Sequence, residues 1–235
     1  MIDIHSHLLF GVDDGAKTLE ESIDILKDMS KFGLESVILT PHYIKNSAYC
    51  KTKSENLHRL HYLQNALEDE NVNINLYLGN EIFIDDDILE LLRDGKISSL
   101  NDTEFLLIEI PMNGKYDDYK EIFASLISQG YKVVLAHPER YLSFQRDFNK
   151  IYELDSLGVY FQCNLDSLIG GYGDLSEKTV KRILKEKMIS FLATDIHHKK
   201  EDYAKWEQAK EVALKYISEE EWNILVNKNP RMLLS

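Results

Sequence analysis

Cysteine is nearly missing from this sequence: Cys50 and Cys163 are the two among 235 residues, far apart and in no metal-type pair. That scarcity excludes a disulfide scaffold, and reduced thiols are expected. A cysteine-phosphatase loop is excluded too, because Asn56 and Ile169 stand where that loop would need arginine, six positions after each cysteine. Proline (4) and glycine (11) are also few, and no Ser-, Gln- or charge-only run separates two halves, so residues 1–235 are expected to form a single domain. No apolar run approaches the roughly 20 residues that cross a bilayer, which argues against membrane insertion. The opening Met1-Ile2-Asp3-Ile4-His5 lacks a basic n-region and enters a strand at once, so a cytoplasmic location is expected rather than secretion. Basic residues are outnumbered, 27 Lys and Arg against 40 Asp and Glu, for a formal net charge of −13. Polyanions are held mainly by clustered Lys and Arg, so nucleic acid and anionic membrane are poor partners. An anionic substrate would need a local attraction that overcomes this global repulsion.

What the chain does carry is a strand–helix alternation repeated about seven times. Short apolar runs at 2–4, 36–40, 74–78, 105–110, 132–136, 159–163 and 190–194 read as strands. Helices are expected between them. Thr18-Leu19-Glu20-Glu21 and Thr52-Lys53-Ser54-Glu55 have the capping-box pattern, Asp85 to Asp87 read as the cap of a short helix, and further helices are expected near 118–129, 148–157, 176–187, 204–216 and 218–225. Such alternation points to parallel βαβ units, and a TIM-like barrel of roughly seven strands is the expected architecture.

Polar residues fall where those strands end. His5 and His7 leave the first strand on one face, since strand side chains repeat every two residues. His42, Glu81, Glu109, His137, Asn164, and Asp195 with His197 follow the later strands in the same way. Barrel enzymes assemble their sites at this rim. Five histidines and three or more carboxylates meeting there would each need a partner. Metal ions supply one, and ligation by histidine and carboxylate without thiolate suits Mn, Fe or Zn, with a carboxylate such as Glu81 able to bridge two ions.

Taken in order, Asp3-Ile4-His5-Ser6-His7, Pro41-His42, Asn80-Glu81, Ile108-Glu109, Ala136-His137-Pro138-Glu139-Arg140 and Thr194-Asp195-Ile196-His197 resemble the successive motifs of the polymerase-and-histidinol-phosphatase (PHP) superfamily. The opening His5-Ser6-His7 with Asp13-Asp14-Gly15, the His137-Pro138-Glu139-Arg140 run and the closing Asn229-Pro230-Arg231 are most similar to bacterial capsular and exopolysaccharide tyrosine phosphatases, over the full length. The resemblance implies a distorted seven-stranded α/β barrel and three divalent ions, manganese first, with Fe or Zn as alternatives. The first ion would take His5, His7, Glu81 and Asp195; the second Asp14, His42 and His197; the third Glu81, Glu109 and His137. Spacing does not choose between Asp13 and Asp14. Four carboxylates against about six positive charges leave a local positive excess for a phosphate ester.

A metal-bridging water of lowered pKa would attack phosphorus, with Asp195 and His197 at the catalytic centre and Arg140 clamping the phosphate through its planar fork. Asn164 and His198 are candidate substrate contacts. The family usually carries a second arginine after the Asp-x-His pair, where this chain has Lys199 and Lys200. The partner implied is a phosphotyrosine protein, a membrane-associated bacterial tyrosine autokinase. The rival readings are histidinol-phosphate phosphatase, from the same superfamily, and a non-catalytic metal-binding protein.

Other features have plainer readings. His58 and His61 share a helix face but alternate with Arg59 and Tyr62, as on a solvated flank. Gly170-Gly171-Tyr172-Gly173 lacks the ending of a P-loop and reads as a mobile segment over the site. Tyr43, Tyr49, Tyr141 and Tyr172 are candidates to line an aromatic pocket.

Overall fold

The computed structural model describes residues 1–198 and 204–234. Lys199 and Lys200, which stand where the family's second arginine would, lie outside the described residues.

Among the described residues nine strand segments run in parallel: β1 (Ile2–Asp3), β2 (Ser36–Leu39), β3 (His42–Tyr43), β4 (Asn75–Leu78), β5 (Glu81–Phe83), β6 (Phe105–Glu109), β7 (Lys132–Ala136), β8 (Tyr160–Asn164) and β9 (Phe191–Ala193). They form a three-stranded sheet in the order β1-β2-β4 and a six-stranded sheet in the order β3-β5-β6-β7-β8-β9. Nine segments replace the expected seven because two strands are interrupted. Pro41, which has no N–H to give to a ladder, separates β2 from β3. Gly79 and Asn80 separate β4 from β5, and there the Asn80 side chain substitutes for backbone pairing: its amide donates to the Pro41 carbonyl at 2.9 Å and accepts from the Ser98 N–H at 2.8 Å. Beyond the ladders, β1 and β9 are joined at their ends by a parallel bridge between Ser6 and Ile196, with Asp195 N–H donating to the His5 carbonyl and His7 N–H to the Ile196 carbonyl, both at 2.9 Å. Buried Asp3 adds to this junction by accepting from the Thr194 N–H and hydroxyl.

The helices follow their sequence signals. α1 (Leu19–Lys31) begins at Thr18, whose hydroxyl accepts from Glu21 N–H; the Glu21 carboxylate takes the Lys17 N–H, so only half of the box closes. α2 (Lys53–Asp69) has the complete box between Thr52 and Glu55. α3 (Ile88–Arg93) departs from expectation, since Asp87 makes no side-chain cap; Lys45 instead draws the Asp85 and Asp87 carboxylates together. α4 (Lys120–Ser128), α5 (Leu142–Arg146), α6 (Asn149–Leu157), α7 (Asp174–Lys185), α8 (Ala204–Ala213) and α9 (Glu219–Asn223) complete the layer, with a closing turn at Asn229–Arg231. No helix among the described residues is long and apolar enough to cross a membrane.

Both faces of the sheets are covered, which is why the strands read as unbroken apolar runs. Leu106 and Ile108, Val133 and Leu135, Phe161 and Cys163, and Leu192 face the helices in the larger core. Phe105 and Leu107, Val134 and Ala136, and Phe191 and Ala193 alternate with them in a smaller inner cluster that includes Ile2, Ile4 and Ile38. Continuing that inner parity past the apolar stretch brings Glu109, Gln162, Asn164 and Asp195 to the C-terminal rim.

Phe161, fully buried on the helix-facing side, is a sharp test of this packing. Phe161→Ala is expected to lower unfolding free energy by about 3–5 kcal/mol, read as a shift of the urea midpoint at constant slope; a loss below about 1 kcal/mol would contradict the packing described.

Candidate metal centre

Each rim residue is positioned by a local feature of its strand end. His5 and His7 follow β1, held by the bridge to β9. Glu81 opens β5, and Glu109 closes β6. His137 turns out of β7 through a left-handed backbone, φ 32°, and Asp195 leaves β9 at φ 56°. Such conformations cost a non-glycine residue roughly 1–2 kcal/mol and persist because the surrounding structure over-determines them. The loop from Phe10 to Ala16 folds tightly back: a Cβ added at Gly15 would lie 1.9 Å from the His7 carbonyl oxygen, so only glycine fits.

These elements bring all nine predicted ligands together. His5 Nε2 lies 3.2 Å from His7 Nε2, and 3.3 Å from both Glu81 Oε2 and Asp195 Oδ1. His42 Nδ1 is 3.0 Å from Glu81 Oε2 and 3.7 Å from Glu109 Oε2. His137 Nε2 is 2.9 Å from Glu81 Oε1. His42 Nε2 and His197 Nε2 are each 3.6 Å from Asp14 Oδ1. Four overlapping groups have donor atoms within 4.8 Å of one another and could hold a metal ion: His7, Asp14, His42 and His197; His5, His7 and Glu81; His5, His137 and Asp195; His42, Glu81 and Glu109. The second predicted set recurs with His7 added, and His137, which groups with His5 and Asp195, also keeps its Nε2 2.9 Å from Glu81 Oε1 and 3.9 Å from Glu109 Oε1. The donor set fits divalent cations on a further ground. Asp14 Oδ1, Glu81 Oε2 and Asp195 Oδ1 are buried oxygens with no aligned hydrogen-bond donor among the described residues.

The structure separates the two aspartates. Asp13 is buried and already saturated: Oδ2 accepts from the His7 Nδ1–H at 2.8 Å and the His42 N–H at 2.9 Å, and Oδ1 accepts from the Gly15 N–H at 2.9 Å. Asp14 is the one whose free oxygen faces the imidazoles. Asn164, expected at the substrate, is instead wholly buried beneath the cluster, its amide donating to Asp195 Oδ2 and accepting from Gln162. Of the tyrosines, Tyr49 lies beside the His42 ring and Tyr172 beneath the Arg140 guanidinium, with its centroid 4.3 Å away, while Tyr43 and Tyr141 are buried. Arg140 donates from Nη1 to Asp195 Oδ2 at 2.9 Å. His198 sits half-exposed beside Glu21. His58 packs on Tyr62 in α2, and neither it nor His61 joins a metal-type group among the described residues. Sequence reasoning missed Asp13 as a partner of His7, missed Gln162 altogether, and named Glu139 only within the His137-Pro138-Glu139-Arg140 run, with no role. A polar residue inside an apolar strand, as at Gln162, was the available signal.

The electrostatics follow from crowding. Burial disfavours charge on His5, but Glu81 and Asp195 outweigh it and raise the imidazole to about 9. His7 is raised well above its ordinary range against burial, chiefly by Asp13. Burial opposes the Glu81 carboxylate as well, yet His5 and His42 hold it well below the usual range. Burial and the Glu81 charge push Glu109 up to about 7. Burial and the neighbouring His7 push His197 down to about 4.

Since the folded His5 keeps its proton to about 9 and an unfolded histidine to about 6.5, the stabilisation it brings is full below 6.5 and lost as pH rises through 9. From pH 7, where Glu109 is about half ionised and its further ionisation also costs stability, the melting temperature of metal-free protein is expected to fall steadily toward pH 9. A flat or rising profile in calorimetry over that range would contradict the pairing. Metal uptake at pH 7 is expected to release protons from these imidazoles, measurable in weakly buffered solution.

The chain is similar to known proteins. YwqE of Bacillus subtilis, a tyrosine-protein phosphatase, is 31% identical over 85% of this chain and 78% of its own length. A crystal structure from work on YwqE of Bacillus subtilis and CpsB of Streptococcus pneumoniae, described as metal-dependent tyrosine phosphatases, superposes with a TM-score of 0.91 at 29% identity, covering 100% of this chain and 94% of that one. Histidinol phosphate phosphatase of Lactococcus lactis shares the fold at a TM-score of 0.62 and 15% identity, covering 92% of this chain and 94% of that one. A family model for capsular polysaccharide synthesis proteins of the CpsB/CapC type matches residues 1–235, and the chain belongs to that family.

Proposed function

We propose that this chain is a metal-dependent protein-tyrosine phosphatase that hydrolyses phosphotyrosine on protein substrates. The observation that carries the reading is the packing of nine histidine and carboxylate donors, three of them buried oxygens without an aligned donor, directly beside the Arg140 guanidinium. Three divalent ions, manganese first, fit the donors: His5, His7, Glu81 and Asp195 would hold one, Asp14, His42 and His197 a second, and Glu81, Glu109 and His137 the third. Bound ions supply Lewis acidity and, at neutral pH, a water nucleophile of lowered pKa.

The chain's own groups do the rest. His197, neutral at pH 7, keeps Nε2 free because its Nδ1–H donates to the Asp195 carbonyl at 2.8 Å. Arg140, steadied by the Tyr172 ring on one side and Asp195 on the other, has further guanidinium N–H donors for phosphate oxygens. With three divalent ions bound the rim could accept a dianionic ester despite the overall charge of −13, since their charge of about +6 would exceed that of the four carboxylates Asp14, Glu81, Glu109 and Asp195. No thiol takes part: Cys163 is buried, its pKa raised by that burial and by Glu139.

The same proposal takes the two sheets as arcs of one distorted (β/α)7 barrel in a single domain, closed where Ser6 pairs with Ile196. Membership of a capsular polysaccharide synthesis family supports a membrane-associated bacterial tyrosine autokinase as substrate, met at the cytoplasmic side.

Phosphate release from a phosphotyrosine peptide and from histidinol phosphate, measured side by side on metal-stripped and Mn-refilled protein, tests this reading. Faster turnover of the peptide, only with metal, is expected; equal activity without metal would overturn the mechanism, and preference for histidinol phosphate would overturn the substrate. His137→Ala and Glu81→Ala are expected to lose turnover and bound metal while circular dichroism stays folded. Arg140→Lys is expected to lower kcat/KM by about 10- to 100-fold, the loss of one charge-assisted hydrogen bond, at unchanged metal content. Cys50→Ser and Cys163→Ser are expected to stay active.

A further inference from the structure

Gln162 and Asn164 lie two residues apart on β8, so both point to the inner face, and both are fully buried. They join His5 to Asp195 in one unbroken line. Asn164 Nδ2 donates to Asp195 Oδ2 at 2.7 Å, Gln162 Nε2 donates to Asn164 Oδ1 at 2.8 Å, and Gln162 Oε1 faces His5 Nδ1 at 2.8 Å. The polarity of this line is forced from one end. A carboxylate only accepts, so Asn164 must present its NH2 to Asp195 and its carbonyl to Gln162. Gln162 must then present its NH2 to Asn164, which leaves its carbonyl for His5, and His5 must carry its proton on Nδ1.

Two consequences meet at the cluster. Because Nδ1 keeps its proton, Nε2, 3.3 Å from both Glu81 and Asp195, is the His5 nitrogen that would give up its proton and offer a lone pair to a metal ion. Asp195 has Oδ2 occupied by Asn164 and Arg140, so only Oδ1 remains, 3.3 Å from His5 Nε2 and 3.4 Å from His7 Nε2. The line is itself fixed in place by Glu139, a buried residue whose Oε1 accepts from the Asn164 N–H at 2.9 Å and the Ser167 hydroxyl at 2.6 Å.

We infer that Gln162 and Asn164 are positioning residues that select, through this amide relay, the His5 nitrogen and the Asp195 oxygen offered to one divalent ion. The inference rests on the metal-centre reading above. A relay whose links share one polarity acts as a unit, because breaking either link lets the other amide rotate. Partners behind a metal-ligating histidine are worth about 10–100-fold in metal affinity.

The test needs no substrate. Zn2+ alone is titrated into full-length protein against a chromophoric chelator. Gln162→Leu and Asn164→Leu are each expected to weaken binding by about 10–100-fold, and the double variant by little more than the worse single one. Unchanged affinity in both single variants, or losses that add in full, would overturn the relay. Should the variants not fold, nitrogen-15 histidine spectra of zinc-loaded wild-type protein decide: a proton on His5 Nδ1 supports the inference, and one on Nε2 overturns it. Failure of the phosphatase reading would appear separately, as absent phosphotyrosine turnover in wild-type protein that still binds zinc.

Discussion

The crowding of imidazoles around Glu81 is the interaction on which the rest of the site depends. One of its oxygens lies 3.0–3.3 Å from nitrogens of His5, His7 and His42, and the other 2.9 Å from His137. A charged carboxylate shut away from water costs several kcal/mol unless opposite charge meets it. Without metal the imidazoles meet it by holding protons. Metal ions would take over that role and expel those protons, so the same contacts that stabilise the empty rim prepare it for cations. The requirement also explains the architecture: four histidines from three different strands converge on one carboxylate only if those strands bring their chemistry to the same end of the sheets, as parallel strands do.

A second layer of buried polar groups gives this crowd its order. Asp13 holds the proton on His7 Nδ1 and ties the loop around Gly15 to the His42 backbone. Gln162 does the same for His5, and the backbone carbonyl of Asp195 does so for His197. In each case the nitrogen away from the cluster is engaged, so the nitrogen facing it is the one left for a metal ion once the ring is neutral, a common division of labour behind metal-ligating histidines. Arg140 closes the arrangement from the solvent side, between Asp195 and Tyr172.

A shared fold with a histidinol phosphate phosphatase at 15% identity is a reminder that one α/β framework carries many chemistries and that substrate choice resides in the residues at the strand ends. Here the rim offers two aromatic rings, those of Tyr49 and Tyr172, on either side of the histidine and arginine groups. They flank the donors without entering them, which suits an ester whose leaving group is itself an aromatic ring.

Much of this was legible in the residues alone. The alternation of short apolar runs with capped helices marked the parallel strands, because burial on both faces leaves no polar alternation to confuse the pattern. Eight of the nine rim donors could be named from their positions at or just past those runs, since chemistry at strand ends is the one place where polar residues interrupt them; Asp14 came from the family resemblance. What the residues could not decide was anything that depends on approach between distant segments. Pro41 and the Asn80 side chain split two strands because of bonds made across to Ser98 and back to Pro41 itself. Asp13 and Asp14 are equivalent in spacing, and only the fold turns one toward His7 Nδ1 and the other toward His42 and His197. Gln162 and Glu139 looked like unremarkable neighbours of the motifs until their partners were brought beside them. Local propensity and patterning determine which residues reach the rim; the directions of hydrogen bonds between residues as far apart as Asp3 and Thr194, 191 positions, or His5 and Gln162, 157 positions, exist only once the strands have come together.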